Sequence, residues 1–172
     1  MTFDEFILEP SPRVRRVEEL ANVCIDQCMD SLGLDECPLP IPVENWIERP
    51  LGIHFGITDL TEYGPDVIGA TFIDANEILV SEKLVSNPAR LRFTAAHELG
   101  HYRMHGSQQV HFRETETQSP GSPIQIERQA DRFAAAFLMP ADAVMPEVLL
   151  ALKYFDLDIE QCSTMLTEDS AE

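Results

Sequence analysis

The sequence predicts an α+β fold in a single domain. Three observations carry this. Apolar residues recur at three- and four-residue spacing towards both ends of the chain, as in helices that bury one face. Short β-rich runs separated by a turn-prone triplet occupy the middle. The 172 residues, 44% apolar and 24% charged, suffice for one buried core and leave little room for a second.

Taken in order, Ser11 suits a helix cap and Pro12 the first helical position. Val14, Val17, Leu20, Ala21, Cys24, Ile25 and Cys28 then share one apolar face, and Gly33 supplies a stop, giving an N-terminal helix over about 11–32. The proline-rich stretch Cys37–Pro42 reads as an extended connector, and Val43–Glu48, with the only tryptophan, Trp46, as a short helix. Ile53, Phe55 and Ile57 alternate as in a strand. The runs Val67–Asp74 and Glu77–Glu82, joined through Asp74-Ala75-Asn76, should pair as an antiparallel hairpin, for three strands in total or at most four. Asn87-Pro88 caps a helix that should reach about His105. The polar stretch Gly106–Ser122 reads as a long exposed loop, either a lid or inert. Ser122-Pro123-Ile124-Gln125 combines cap, first-turn proline and capping-box glutamine, opening a helix to about Met139. Met139-Pro140 should end that helix and pack in the core, and another helix should span Ala141–Phe155. The whole of 1–172 thus reads as one domain, with a core over about 53–140 and an acidic tail over about 156–172.

Charge excludes several functions. Thirty acidic residues against 12 basic ones give a formal net charge of −18, a field that repels a phosphate backbone despite the local cluster Arg13, Arg15 and Arg16. Direct nucleic-acid binding is therefore not expected. No apolar run approaches the roughly 20 residues of a membrane span. The acidic start MTFDEFILEP is no secretory signal, and the four cysteines (Cys24, Cys28, Cys37, Cys162) are too few for a disulfide scaffold. A cytoplasmic protein is expected. Buried free thiols are the plainer reading of Cys24, Cys28 and Cys37, with a second zinc site the sharper one.

One motif carries chemistry. His97-Glu98-Leu99-Gly100-His101 falls within the Asn87 helix. Four-residue spacing points both imidazoles the same way, one turn apart, so that they can share a metal ion. Glu98 can reach a water on that metal as general base, which is the H-E-x-x-H zinc-hydrolase pattern. Ala96 and Gly100 are small enough to let another backbone approach. A catalytic site needs a third protein ligand. The candidate is Glu127 on the next helix, and Asp131, four residues on, shares its face. One carboxylate can ligate while the other orients a histidine; a solvated acidic face is the competing reading of both. His105 extends the histidine row by a further turn. With Tyr102 and Gly69 it is a candidate contact for substrate or oxyanion, although a solvated helix-end histidine is the simpler account. His111 stands on the same footing as His105 and Tyr102, while His54 in the first strand reads as a satisfied core or surface histidine.

The pairing of HELGH with IERQADRFAAAFLMP resembles the ImmA/IrrE family of zinc-dependent metallopeptidase-like proteins, over about Ile53–Pro140. The second element follows the form E-x-x-A-x-x-F-A-x-x-x-hydrophobic-M-P through Glu127, Ala130, Phe133, Ala134, Leu138, Met139 and Pro140. The resemblance implies a gluzincin-like core, a small mostly antiparallel sheet packed on two metal-bearing helices. It also implies His97, His101 and Glu127 as ligands and Glu98 as base. The expected cofactor is Zn²⁺, with Mn²⁺ or Fe²⁺ also suited to such ligands. The expected activity is endopeptidase cleavage of a cytosolic protein, a basic helix-turn-helix repressor or antitoxin from a phage or mobile-element circuit. A metal-retaining module that sequesters this partner without cutting it is the alternative, which an intact Glu98 argues against. An extended substrate is expected along the strand Val67–Asp74, where Gly69 would admit a close backbone.

Overall fold

The computed structural model describes residues 12–105, 110–113 and 123–155. The expected caps Ser11 and Ser122 and the acidic tail lie outside them. Helix α1 (Pro12–Leu32) ends in a Schellman arrangement: Gly33 takes φ +64°, its N–H reaches Asp30 O at 3.3 Å, and Leu34 N–H reaches Met29 O at 3.0 Å. Val17, Ala21, Cys24, Ile25 and Cys28 are buried, as the periodicity required. Helix α2 (Val43–Glu48) inserts Trp46 edge-on against Phe137, ring centres 6.1 Å apart.

Four strands form one sheet in the order β1-β3-β2-β4, from β1 (His54–Thr58), β2 (Val67–Phe72), β3 (Glu77–Ser81) and β4 (Val110–Arg113). The hairpin β2–β3 is antiparallel, with Asn76 at φ 54° in its turn. Asn76 Nδ2 donates to Gly52 O at 2.7 Å and Tyr102 Oη donates to Asn76 Oδ1 at 2.6 Å, fixing the turn to both neighbours. β1 joins β3 in parallel, while β4 joins β2 antiparallel. The sheet is therefore mostly antiparallel, as expected.

Two expectations need correction. The stretch Gly106–Ser122 is not wholly loop, because β4 lies inside it; its four residues pair with β2, a long-range contact that the polar surroundings did not signal. The strand expected to receive substrate, β2, is interior, hydrogen-bonded by β3 on one side and β4 on the other. It has no edge to offer; β1 and β4 are the edge strands among the described residues.

A β-bulge between Val67 and Gly69 sets the pleat of β2. Val67 faces the small cluster with Leu60 and Ala70, and Ile68 faces the main core. The extra residue then turns Gly69 and Thr71 towards helix α3 as well.

Helix α3 (Pro88–Met104) is capped by Asn87, whose Oδ1 accepts from Arg90 N–H at 3.2 Å. It is buried without a break from Thr94 to His101 because the sheet covers one side and helix α4 (Pro123–Leu138) another. A Cβ on Gly100 would lie 3.2 Å from both Ala130 Cα and Phe133 Cβ, so the two helices meet where no side chain intervenes. Met139 is 65% exposed, which corrects its expected place in the core; the helix ends there, and its last apolar contacts are those of Phe137 and Leu138.

The described chain falls into two compact units, one ending at Leu138 and one starting at Met139. The second holds helix α5 (Ala141–Tyr154), whose first turn bonds Ala143 and Val144 N–H to Pro140 O. No single helix among the described residues is long and apolar enough to cross a membrane.

Gly100→Val should destabilise the fold by about 1–3 kcal/mol through overpacking against Ala130 and Phe133. Gly100→Ala should cost less, because about 1 kcal/mol of helix propensity offsets the crowding. Urea unfolding of both variants tests this, and a neutral Gly100→Val would mean that α4 gives way freely.

Candidate metal centre

The i, i+4 spacing on α3 sets His97 and His101 on one face, and α4 brings Glu127 across from them. His97 Nε2 and His101 Nε2 are 2.9 Å apart. Glu127 Oε2 lies 3.1 Å from the first and 3.4 Å from the second. Both imidazoles are fully buried, while the Glu127 side chain keeps 15% exposure. Among the described residues this is the one convergence of three ligand-type side chains, so the cysteines do not build a second site there. Cys24 and Cys28 are buried core thiols one turn apart, and Cys162 lies outside the described residues.

The donor set fits a divalent metal. Bonds of about 2.0–2.1 Å at tetrahedral angles place ligand atoms roughly 3.3 Å apart, and the three separations here bracket that. The far nitrogens are also engaged. His97 Nδ1 lies 2.9 Å from Asp131 Oδ1, so an N–H there can donate to the carboxylate and leave Nε2 as the atom to offer a metal. Asp131 thus touches His97 from outside the cluster, with its side chain half exposed.

Electrostatics point the same way. Burial pulls His97 down, but its hydrogen bonds with Asp131 and Glu127 and the charge of Glu98 prevail and raise it to about 9. Burial pushes Glu127 up, but hydrogen bonds from His101 and His97 win and hold it at about 2. Burial lowers His101. His97 and Glu127 thus favour positive charge beside a carboxylate, while buried His101 favours its neutral form.

Glu98, beside His97 on α3, reaches towards β2. It is fully buried, which raises its carboxyl to about 7. Thr71 Oγ1 donates to Glu98 Oε2 at 2.6 Å and approaches the Glu98 backbone O at 3.0 Å. Among the described residues Glu98 Oε1 and Thr94 Oγ1, one turn apart, are buried without a hydrogen-bond partner. Gly69 makes room for the carboxylate: a Cβ there would fall 2.4 Å from Glu98 Oε1 and 2.8 Å from Thr94 Cγ2.

A family model described as the IrrE N-terminal-like domain, Peptidase_M78, matches residues 51–160. The chain belongs to this family. Comparison with curated proteins gives no match. The matched span contains all four described strands and the two helices that carry His97, His101 and Glu127, and its family points to a metallopeptidase-like domain. Helices α1 and α2 precede the matched span, yet α1 packs on α4 and α2 on α3.

Three sequence candidates have other partners than expected. Gly69 faces Glu98 and Thr94. Tyr102 holds the hairpin turn through Asn76. His105 lies between His101, at 3.0 Å, and Gln129, at 3.2 Å. His54 is exposed on β1, and the His111 side chain lies outside what is described. Thr71 and Gln129 were not singled out from sequence. Thr71 sits in a β run whose parity the bulge resets, and Gln129 in a helix face that reads as solvated.

Glu98 binds a proton more tightly folded than unfolded, since its carboxyl rises from the ordinary 4.5 to about 7. Its contribution to folding is therefore lost as pH climbs through that window. Thr71 opposes this by donating to the charged form. Thr71→Val in metal-free protein should cost about 1–3 kcal/mol at pH 8, and less at pH 5, where Glu98 is protonated. Equal costs at both pH values, by urea unfolding, would detach Thr71 from the ionisation of Glu98.

Proposed function

We propose that this chain is a zinc-dependent endopeptidase acting on a basic, DNA-binding protein partner, a helix-turn-helix repressor or antitoxin. The observation that carries the hydrolytic reading is Glu98: a fully buried carboxylate, next in sequence to His97, with Oε2 anchored and Oε1 free of any described partner. A buried acceptor left open in this way costs stability and serves only if a donor arrives. A module that merely held its partner would have no use for it.

His97, His101 and Glu127 would hold the metal, and Asp131 keeps His97 in the tautomer that offers Nε2. When bound, the metal supplies Lewis acidity, acidifying water and polarising the scissile carbonyl. Glu98 Oε1 takes a proton from the attacking water and passes it to the leaving amine. A carboxyl raised towards neutrality is suited to both steps. Gly69 and Thr71 fix where that oxygen stands. An extended substrate pairs with β4, the edge strand beside β2, through main-chain hydrogen bonds. Only an exposed segment or linker of the partner can lie extended in this way.

Glu98→Gln should keep one equivalent of metal and lose roughly 10²–10⁴-fold in peptide hydrolysis, because the amide cannot accept the proton. Metal analysis beside a cleavage assay on the partner separates the outcomes: retained turnover removes Glu98 from the chemistry, and lost metal makes it a ligand.

The net charge of −18 supports the basic partner, since opposite fields steer encounter. The association rate measured by stopped flow should fall as salt rises, and the isolated chain should not bind duplex DNA at physiological salt. Salt-independent association would replace steering by apolar contact; tight DNA binding would overturn the charge argument.

A further inference from the structure

We propose that His105 is a positioning residue for the metal centre: it fixes the tautomer and ring orientation of His101 and is itself fixed by Gln129. The inference rests on the metal-site reading above. His101 turns Nε2 towards His97 and Glu127 and Nδ1 towards His105, 3.0 Å from that residue's own Nδ1. An imidazole that gives its Nε2 lone pair to a metal carries its proton on Nδ1. His101 Nδ1–H therefore donates, and His105 Nδ1 accepts. A neutral His105 that accepts at Nδ1 has its proton on Nε2. That nitrogen stands 3.2 Å from Gln129 Oε1, a carbonyl oxygen that can only accept.

Each donor in this row meets an acceptor, and one arrangement of protons satisfies all of them. The row begins on α3 and ends on α4, the helix that also carries Glu127. The backbone is held too, since His105 N–H donates to His101 O at 2.9 Å at the end of α3. The two ligand histidines are thereby supported differently. His97 leans on a carboxylate, Asp131, and His101 on a neutral ring and an amide.

The test titrates the full metal-free chain with Co²⁺, and with Zn²⁺ in competition with a chromophoric chelator. His105→Ala should weaken metal binding roughly 10–100-fold. In the Co²⁺ form its His101 Nδ1–H resonance, shifted by the paramagnetic ion, should exchange with solvent faster than in wild type. His105→Asn places an amide oxygen where Nδ1 accepts and should recover most of the affinity. Gln129→Leu keeps the acceptor but loosens its ring and should fall between wild type and His105→Ala. Affinity within about twofold of wild type, with an unchanged resonance, in His105→Ala overturns the proposal. If His105→Ala does not fold, wild-type affinity in Gln129→Leu overturns it instead. A wild-type chain that takes up no stoichiometric metal would overturn the metal reading itself, and this inference with it.

Discussion

The site depends on α3 being buried from two directions at once. From Thr94 to His101 no residue of this helix reaches solvent, although three of them are ionisable. A buried polar group without a partner costs about 1–3 kcal/mol, so each of the three had to be met by a neighbouring element. β2 meets Glu98 through Thr71, and α4 meets His97 and His101 through Glu127 and Asp131. Gly100 and Gly69 allow both approaches, one helix-to-helix and one helix-to-sheet. Packing and site geometry are here one constraint: a shift of either neighbour would strand a polar atom in the core.

The chain concentrates negative charge where it can be used. Glu98 and Glu127 flank two buried imidazoles, with Asp131 behind them. Without a metal the cluster answers by raising His97 and depressing Glu127, which draws a proton into the place where the ligand atoms converge. A site of this kind opposes folding by itself, because the desolvation of its ionisable groups is only partly offset by their pairing. The surrounding apolar core, with Phe133, Phe137, Ile78 and Leu99 fully buried, supplies the compensation. Among the described residues one oxygen of the Glu98 carboxylate stays unpartnered beside so well-paired a cluster, which is why Glu98 weighs most in the functional reading.

Much of this was legible in the sequence, and what was not has physical causes. Caps and periodicity located α1, α2, α3, α4 and the β2–β3 hairpin within a residue or two, since each rests on local chemistry. H-E-x-x-H and the following acidic helix identified residues that the fold does bring together. Strand β4 was hidden because four residues in a polar stretch gain their structure from a distant partner. That same pairing makes β2 interior, so the expected substrate strand could not be judged from its own residues. Gly69 was rightly seen as a place of close approach, but the bulge decides what approaches, and pleat parity is not readable across a bulge. Ile57, apolar and alternating, is 46% exposed because β1 is an edge strand.

The second motif, from Glu127 to Met139, is then understandable as one helix face. Glu127 opens it in the candidate metal cluster; Ala130 and Phe133 receive Gly100; Ala134 and Phe137 continue into the core towards Trp46. Met139 falls off the end and is exposed. Ligand and packing residues alternate along the same stripe at helical spacing, so α4 cannot rotate to improve one without spoiling the other. The short side chain of Ala130 acts at a distance in this sense: by letting α4 seat on Gly100, it sets how far Glu127 stands from the two Nε2 atoms. Precision at the metal centre is thereby assigned to small residues that bear no functional group, and a volume change of one methyl group at that contact is felt by every atom of the cluster.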